Sequence, residues 1–198
     1  MSNSNELIPH PSSAWADAAA PLDKTNVLAA LKKYERTRLK SRPIFLSFSG
    51  RSGLYTASDG YPVPEGECII SPKSFFEGYI LWENGRVKSQ VRRFLMENTP
   101  LPSRDEFPEG EEGEWRDQMG FLAMPRDKRY LRYVFSTSSR SGLRAVQGVI
   151  RSVVNYYETE QNGNHPVILF SSEPFMAKHG MKHMKPVFNI VDWEKEDA

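Results

Sequence analysis

The fold class follows from one stretch of sequence, YILWENGRVKSQV at residues 79–91. Its Asn-Gly dipeptide stands between two alternating runs, and a type I′ turn requires positive φ at both central residues. The stretch therefore predicts a β-hairpin in which Trp82 pairs with Val87 and Tyr79 pairs with Gln90. One face is predicted to be core and contains Ile80, Trp82, Val87 and Val91. The other is predicted to be a wet cationic surface and contains Tyr79, Arg86, Lys88, Gln90 and Arg92.

Short strand signals continue on both sides of this hairpin. Runs rich in β-branched and aromatic residues are bounded by Gly and Pro, of which the chain has 13 and 14. Two of these runs flank a tight turn at residues 50–53. Strands are predicted at residues 44–49, 54–57, 67–71, 118–124, 130–136, 166–171 and 186–191. A mainly β fold is therefore expected.

Two helices are expected beside the strands. Thr25 or Asn26 caps the first, a basic helix that runs to about Lys40. The second is capped within residues 136–139 and runs to about Glu158. Its apolar stripe has a 3.6-residue period and consists of Leu143, Val146, Ile150, Val153, Val154 and Tyr157. The glycine inside this helix, at position 148, is expected to allow close packing on a sheet.

The composition indicates one domain with appendages. The chain has 198 residues and a single cysteine, Cys68, so neither an intrachain disulfide nor a thiolate-rich zinc site can form. Cys68 is expected to be small and buried rather than nucleophilic. Without a secretory signal or a membrane-spanning apolar run, a cytoplasmic protein with no membrane contact is expected. We predict a flexible arm at 1–21, one domain at 22–193 and a short acidic tail at 194–198.

Charge is segregated along the chain although the formal net charge is only +1. Residues 126–151 contain seven Lys or Arg against Asp127 alone, which gives a local charge of +6. Residues 97–117 contain eight acidic residues and two arginines, which gives −6. Because this acidic stretch is also rich in Pro and Gly, we expect a long loop there. Such a loop is expected to compete for a basic nucleic-acid groove.

No motif in the sequence demands catalysis. The chain lacks a P-loop and the G-x-G-x-x-G, G-x-S-x-G and H-E-x-x-H patterns. His179 and His183 have the i, i+4 spacing of metal ligands, but Gly180 weakens a helix there and neighbouring lysines repel a cation. We expect instead a basic, Met-rich loop at residues 176–185 that contacts a phosphate backbone. No metal and no other cofactor is predicted.

Cations interleaved with aromatic residues favour nucleic-acid binding. Alternation in residues 130–136 assigns Leu131, Tyr133 and Phe135 to the core and leaves Tyr130 and Arg132 on the surface. Such a surface neutralises phosphates, and each stacked base contributes about 1–3 kcal/mol. The candidate nucleic-acid-binding residues are Arg51, Tyr55, Tyr79, Arg86, Lys88, Arg92, Tyr130, Arg132, Lys178 and Lys182.

Three segments carry a resemblance to a known family. They are FLSFSGRSG at 45–53, FSTSSRSGLRAV at 135–146 and PVFNIVDW at 186–193. These segments, and the order of elements over residues 43–193, resemble single-stranded-DNA-binding proteins encoded by phages and prophages. The resemblance implies an OB-like β-barrel with replication or recombination proteins as further partners. Several members recruit those partners through an acidic C-terminal tail, whereas the tail of this chain is short and ends in Ala198.

These observations lead to one expected function and two alternatives. We expect a mainly β (α+β) protein, an OB-like barrel with a basic N-terminal helix and one long helix packed on the sheet. We expect it to bind single-stranded DNA without strong sequence preference during phage replication or recombination, and not to be an enzyme. The first alternative is a phage protein that binds or inhibits a host factor. The second is an enzyme with a dispersed active site.

Overall fold

The computed structural model describes residues 43–107, 114–160, 164–177 and 180–195. Within these ranges it contains nine β-strands and one α-helix. The strands are β1 (Ile44–Phe48), β2 (Tyr55–Ala57), β3 (Cys68–Ile70), β4 (Phe76–Glu83), β5 (Arg86–Phe94), β6 (Glu114–Pro125), β7 (Tyr133–Thr137), β8 (His165–Met176) and β9 (Lys182–Glu194). The helix is α1 (Arg140–Glu160). The predicted arm at 1–21 and the predicted basic helix, which runs to about position 40, lie outside the described residues.

All nine strands form one sheet that divides at β6. The strand order is β2-β1-β7-β6-β3-β8-β9, with β4 and β5 attached to the other part of β6. The first half of β6 pairs with β4, from Glu114 to Gly120, and its last three residues pair with β3. Neighbours are antiparallel except β1 and β7, which are parallel. The prediction of a mainly β fold is confirmed.

The sheet curls so that its two ends meet. The backbone N–H of Met184 in β9 donates to the carbonyl of Gly50, in the turn between β1 and β2, at 2.8 Å. The hydroxyl of Tyr55 donates to the carbonyl of Ser171 in β8, also at 2.8 Å. Gly53 in the same turn has φ of +73°, and a Cβ there would lie 2.9 Å from the Met184 side chain. These contacts give the sheet the form of a half-barrel.

Aromatic rings fill the inside of the half-barrel. Phe121 in β6, Phe135 in β7 and Phe188 in β9 have centroids 5.0–5.6 Å apart, within the range of favourable ring contacts. Phe170 of β8 joins them. Leu131, Tyr133 and Phe135 are all buried, as their alternation predicts. Because these rings come from β6, β7, β8 and β9, the core joins the middle of the sheet to its β8–β9 end.

The helix α1 lies against β9 and β6 and buries one face in the same core. Its N-cap is Ser139, whose hydroxyl accepts a hydrogen bond from the N–H of Gly142 at 3.1 Å. The prediction of one long helix that begins after residues 136–139 and packs on the sheet is therefore confirmed. The expectation for Gly148 is wrong, because this residue is exposed and an added Cβ would meet nothing within 4 Å. The close contact is at Gly142, beside the side chain of Thr137.

The β4–β5 hairpin has the predicted turn but not the whole predicted register. Asn84 and Gly85 have φ of 50° and 73°, and Trp82 pairs with Val87 as predicted. Beyond this pair Lys88 is an extra residue in a β-bulge, so that Tyr79 pairs with Val91 rather than with Gln90. A shift of one residue exchanges the faces of a strand. Gln90 therefore lies with the buried Ile80, and the predicted division of β5 into a core face and a cationic face is wrong.

The bounds of several strands also differ from the predicted ones. β8 and β9 each extend beyond 166–171 and 186–191, so residues 176 and 182–185 of the predicted loop are in strands of a long hairpin. β7 begins at Tyr133, which leaves Tyr130 in the preceding turn. β6 begins at Glu114, so the last part of the predicted acidic loop is a strand. β6, β8 and β9 are longer than predicted because charged or polar residues at their ends face solvent along an extended strand, whereas β7 is shorter than its alternation predicts.

Candidate nucleic-acid interface

The predicted aromatic candidates lie in covered positions. The ring of Tyr55 contacts Phe48 and Phe170, with centroids 4.9 and 5.3 Å away, and its hydroxyl is bonded to a backbone carbonyl. Burial raises the pKa of Tyr55 above its usual value. Tyr130 is half-buried and packs against the core. Neither ring lies on an open surface, which the predicted stacking of bases requires.

Tyr79 is covered by the segment that follows β5. Its ring packs edge-on against Phe107 at 5.6 Å, and Phe107 packs against Trp115 at 4.9 Å. Ser103 and Glu106 form a capping box within this segment, which means that Glu106 is used locally. Phe107 therefore anchors the described part of the predicted acidic loop on the hairpin, while residues 102–106 of the loop are exposed.

The cations of the β4–β5 hairpin are partly neutralised. Arg86 is exposed beside the turn. Lys88 forms an ion pair with Glu83 at 2.6 Å. Arg92 lies 4.8 Å from the ring centre of Phe76 and donates to Gln90 and Gln118, and burial lowers its pKa. Arg92 is thus part of the packing of the sheet and not a free cation on its surface.

Part of the +6 stretch is also neutralised by an ion cluster at the end of β9. Arg126 is paired with Glu67 at 2.6 Å, with Asp192 at 3.0 Å and with Glu194 at 2.9 Å. Arg129 pairs with the same Glu194. These contacts hold the chain after β6 against the last strand. The predicted acidic tail begins with Glu194, which this cluster uses, so Glu194 is not available for a partner.

Two predicted residues come together at the closed end of the half-barrel. Arg51 is exposed in the β1–β2 turn, and Lys182 is exposed at the start of β9. The hydrogen bond between Gly50 and Met184 brings their segments side by side. Lys178 and His179 lie outside the described residues. Arg132 is exposed just before β7 and has no ion pair with any described residue.

A groove lined by cations lies between the first turns of α1 and the outer half of the β8–β9 hairpin. We call it the α1 groove, and its volume is about 620 Å³. It is lined by Arg140, Ser141, Arg144, Ala145, Glu173, Phe175, Lys185, Pro186 and Val187. Arg140 and Arg144 are exposed and form no ion pair with any residue in the described ranges. Lys185 pairs with Glu173 at 3.1 Å.

An exposed aromatic ring forms part of the same groove. Phe175 is 38% exposed and lies opposite His183 in the hairpin, with ring centroids 5.9 Å apart. Glu173 and Phe175 are two residues apart in β8 and therefore project from the same side of the strand. Phe175 is not among the predicted candidates because the predicted strand ends at residue 171 and the predicted loop begins at residue 176. The sequence does contain one signal for the groove: Arg140 and Arg144 have i, i+4 spacing immediately after a predicted N-cap, which places both on one face of the helix.

The described residues were also compared with what a reactive cysteine, a metal site or a membrane-spanning helix requires. Cys68 is fully buried, as predicted, and burial raises the pKa of its thiol to about 12. No three His, Cys, Asp or Glu side chains converge on a metal-sized site within the described ranges. The same part of the chain contains no helix with the length and apolarity needed to cross a membrane.

Comparisons with known proteins add no further information. The chain matches no protein-family model, no curated protein and no solved structure. The assignment of a function therefore depends on the residues of the α1 groove and on the fold that brings them together.

Proposed function

We propose that this protein binds single-stranded DNA, with little sequence preference, in the α1 groove. The observation that carries the proposal is the placement of Arg140 and Arg144, which have no ion pair among the described residues, opposite the exposed ring of Phe175. Cationic grooves with aromatic side chains bind single strands because every base has a face that can stack.

The charges of the groove suit a phosphate backbone. Arg140, Arg144 and Lys185 stand against one acidic residue, Glu173. The groove also opens at the N-terminus of a 21-residue helix, where the helix dipole favours an anion. Arginine guanidinium groups bind phosphate oxygens with two parallel hydrogen bonds. The backbone of a bound strand is therefore expected to follow α1 over its first two turns.

The aromatic side chain favours a single strand over a duplex. A base stacked on Phe175 contributes about 1–3 kcal/mol, and this contact requires a base that is not already stacked within a duplex. His183 lies beside the ring and extends the platform. A volume of about 620 Å³ is in the range of pockets that hold one small ligand, which suits one nucleotide of a longer strand.

The finer fold assignment belongs to this proposal as well. The curled sheet with its β1–β2 turn closed against β9 is compatible with an OB-like β-barrel, the fold that the resemblance at 45–53, 135–146 and 186–193 implies. Proteins with that fold commonly bind oligonucleotides. On this basis we place the protein in phage DNA replication or recombination, in the cytoplasm of the host cell, as a binding protein and not an enzyme.

A fluorescence anisotropy titration tests the proposal. A labelled single-stranded oligonucleotide and its duplex form are titrated at two salt concentrations. We expect the single strand to bind more tightly, with log K falling against log salt with a slope of about −2 if all three groove cations are engaged. No binding at low salt, or equal affinity for duplex and single strand, would contradict the proposal.

A further inference from the structure

Strand β5 forms an edge of the sheet. It is nine residues long and pairs with β4 alone among the described strands. Arg86 to Gln90 are all exposed. An edge strand of this length presents unpaired N–H and C=O groups that can pair with a further strand, unless another feature prevents it.

The direction of these backbone groups follows from two hydrogen bonds at the end of β5. The N–H of Leu95 donates to the carbonyl of Phe75 at 2.8 Å, towards β4, whereas the N–H of Phe94 donates to the carboxylate of Glu97 at 3.2 Å. Because inward and outward groups alternate along an antiparallel strand, Arg92 and Gln90 also direct their N–H groups outwards. The outer donor at Phe94 already binds a carboxylate, and those at Gln90 and Arg92 point the same way.

The charge of the edge selects the kind of strand that can join it. β5 carries Arg86, Lys88, Arg92 and Arg93 and no acidic residue. Glu83 and Glu77 pair with Lys88 and Arg93. The net charge of +2 that remains on the hairpin belongs to the exposed Arg86 and to Arg92, which is half-buried against Phe76. A second copy of β5 would place cations opposite cations, and like charges on facing strands are destabilising. An acidic strand has the complementary charge.

An apolar pair lies next to this edge. Trp82 and Val87 face each other across the hairpin beside its turn, and they are 37% and 46% exposed. Exposed tryptophan side chains are enriched among the residues that dominate protein–protein binding. The pair lies just beyond the bulge at Lys88, where the regular ladder of β5 ends. It can therefore receive an apolar side chain from the end of a paired strand.

We propose that the β5 edge binds an extended acidic peptide segment of a partner protein, which adds to the sheet as a further strand. Backbone hydrogen bonds at Gln90 and Arg92 hold the segment, its carboxylates face the cations of β5, and an apolar residue covers Trp82. Nucleic acid is the less suitable ligand, because it has no regular ladder of amide donors and acceptors. This site is separate from the α1 groove and does not depend on it.

The test uses a fluorescein-labelled peptide of alternating Glu and Val, eight to ten residues long, titrated into the full chain by anisotropy. Because most of the affinity comes from the backbone and from charge, this simple peptide is sufficient. We expect saturable binding that weakens with salt, and hydrogen exchange that slows in residues 86–94 but not in the α1 groove. A peptide of alternating Lys and Val, and a Glu-Val peptide methylated on alternate backbone amides, should bind at least about tenfold more weakly.

Charge-reversal variants provide the matched control. Arg86→Glu is exposed beside the turn and should weaken the Glu-Val peptide about fivefold or more, whereas Arg151→Glu, exposed on α1, should leave its affinity unchanged. Absence of binding, or equal binding of the methylated peptide, would overturn the proposal. So would an oligonucleotide that displaces the peptide and protects β5, or a dimer formed through β5. Loss of oligonucleotide binding to the α1 groove with peptide binding intact would count only against the proposed function.

Discussion

The indole of Trp193 lies flat against the ring of Tyr156, with centroids 3.6 Å apart and planes inclined by only 5°. This stack joins the end of β9 to the last turns of α1. The other end of the same helix borders the α1 groove through Arg140 and Arg144. The helix that carries the groove cations is therefore also anchored to β9 at its opposite end.

Trp193→Ala should destabilise the protein by about 3 kcal/mol, because it removes a large, partly buried aromatic side chain and its stacking contact. Unfolding in urea, followed by circular dichroism, measures the change. The control is Val191→Ala, on the same strand but exposed, which should cost less than about 0.5 kcal/mol. Equal effects of the two substitutions would mean that the stack contributes little.

Two glycines of α1 should respond to alanine in opposite directions. Gly142→Ala brings a methyl group into the side chain of Thr137 and should cost about 1–3 kcal/mol through overpacking. Gly148→Ala meets open space in an exposed helix interior and should stabilise by about 0.5–1 kcal/mol. Thermal unfolding of both variants gives the sign directly. Stabilisation by Gly142→Ala would show that the helix start is packed differently.

Asp192 should contribute stability that is lost in acid. The N–H of Trp193 and the guanidinium of Arg126 hold the pKa of its carboxyl below the usual value. A depressed folded pKa means that the contribution is present above the unfolded pKa and disappears as the pH falls through the folded pKa. Asp192→Asn should therefore be less stable than the parent near neutral pH and equal to it in acid. The control is Asp105→Asn, exposed on a 3₁₀ turn, which should leave the stability near neutral pH unchanged.

Removing the groove arginines should weaken DNA binding and its salt dependence together. Arg140→Ala with Arg144→Ala should reduce the slope of log K against log salt by about 1.4, since each cation contributes about 0.7 for a single strand. Anisotropy titrations of the oligonucleotide at several salt concentrations measure this slope. Arg151→Ala is the matched control, because Arg151 is exposed on the same helix but does not line the groove. An unchanged slope in the double variant would place the binding surface elsewhere.

Phe175→Leu should weaken single-strand binding by about 1–3 kcal/mol while leaving the salt slope unchanged, because it removes stacking but no charge. The same titrations separate the two effects. Phe45→Leu serves as the control, since Phe45 is similarly exposed but lies on β1 and does not line the groove. A loss of slope in Phe175→Leu would indicate a disturbed groove rather than a lost stacking contact.

Much of the fold could be predicted from local patterns. The Asn84-Gly85 turn, the N-cap at Ser139 and the core assignment of Phe135 all depend on residues close in sequence, and all are confirmed. The candidate site was much less predictable. Tyr55 and Tyr79 are predicted to be available to bases, yet Phe170 and Phe107 lie against them from segments that a local pattern cannot locate.

The sequence by itself determined where the strands lie in outline, where the tight turns are and where the long helix begins, because turn geometry, capping and alternation act between near neighbours. It did not determine how far β6, β8 and β9 extend. Only the tertiary structure decided the bulge at Lys88, the neutralisation of Arg126 and the closure of β9 on Gly50. It alone joined Arg140 to Phe175 in one groove. Apart from the bulge, which lies within one hairpin, these features depend on contacts between segments that are distant in sequence. The ion pairs and the exposure of each side chain are therefore set by partners that no local pattern contains.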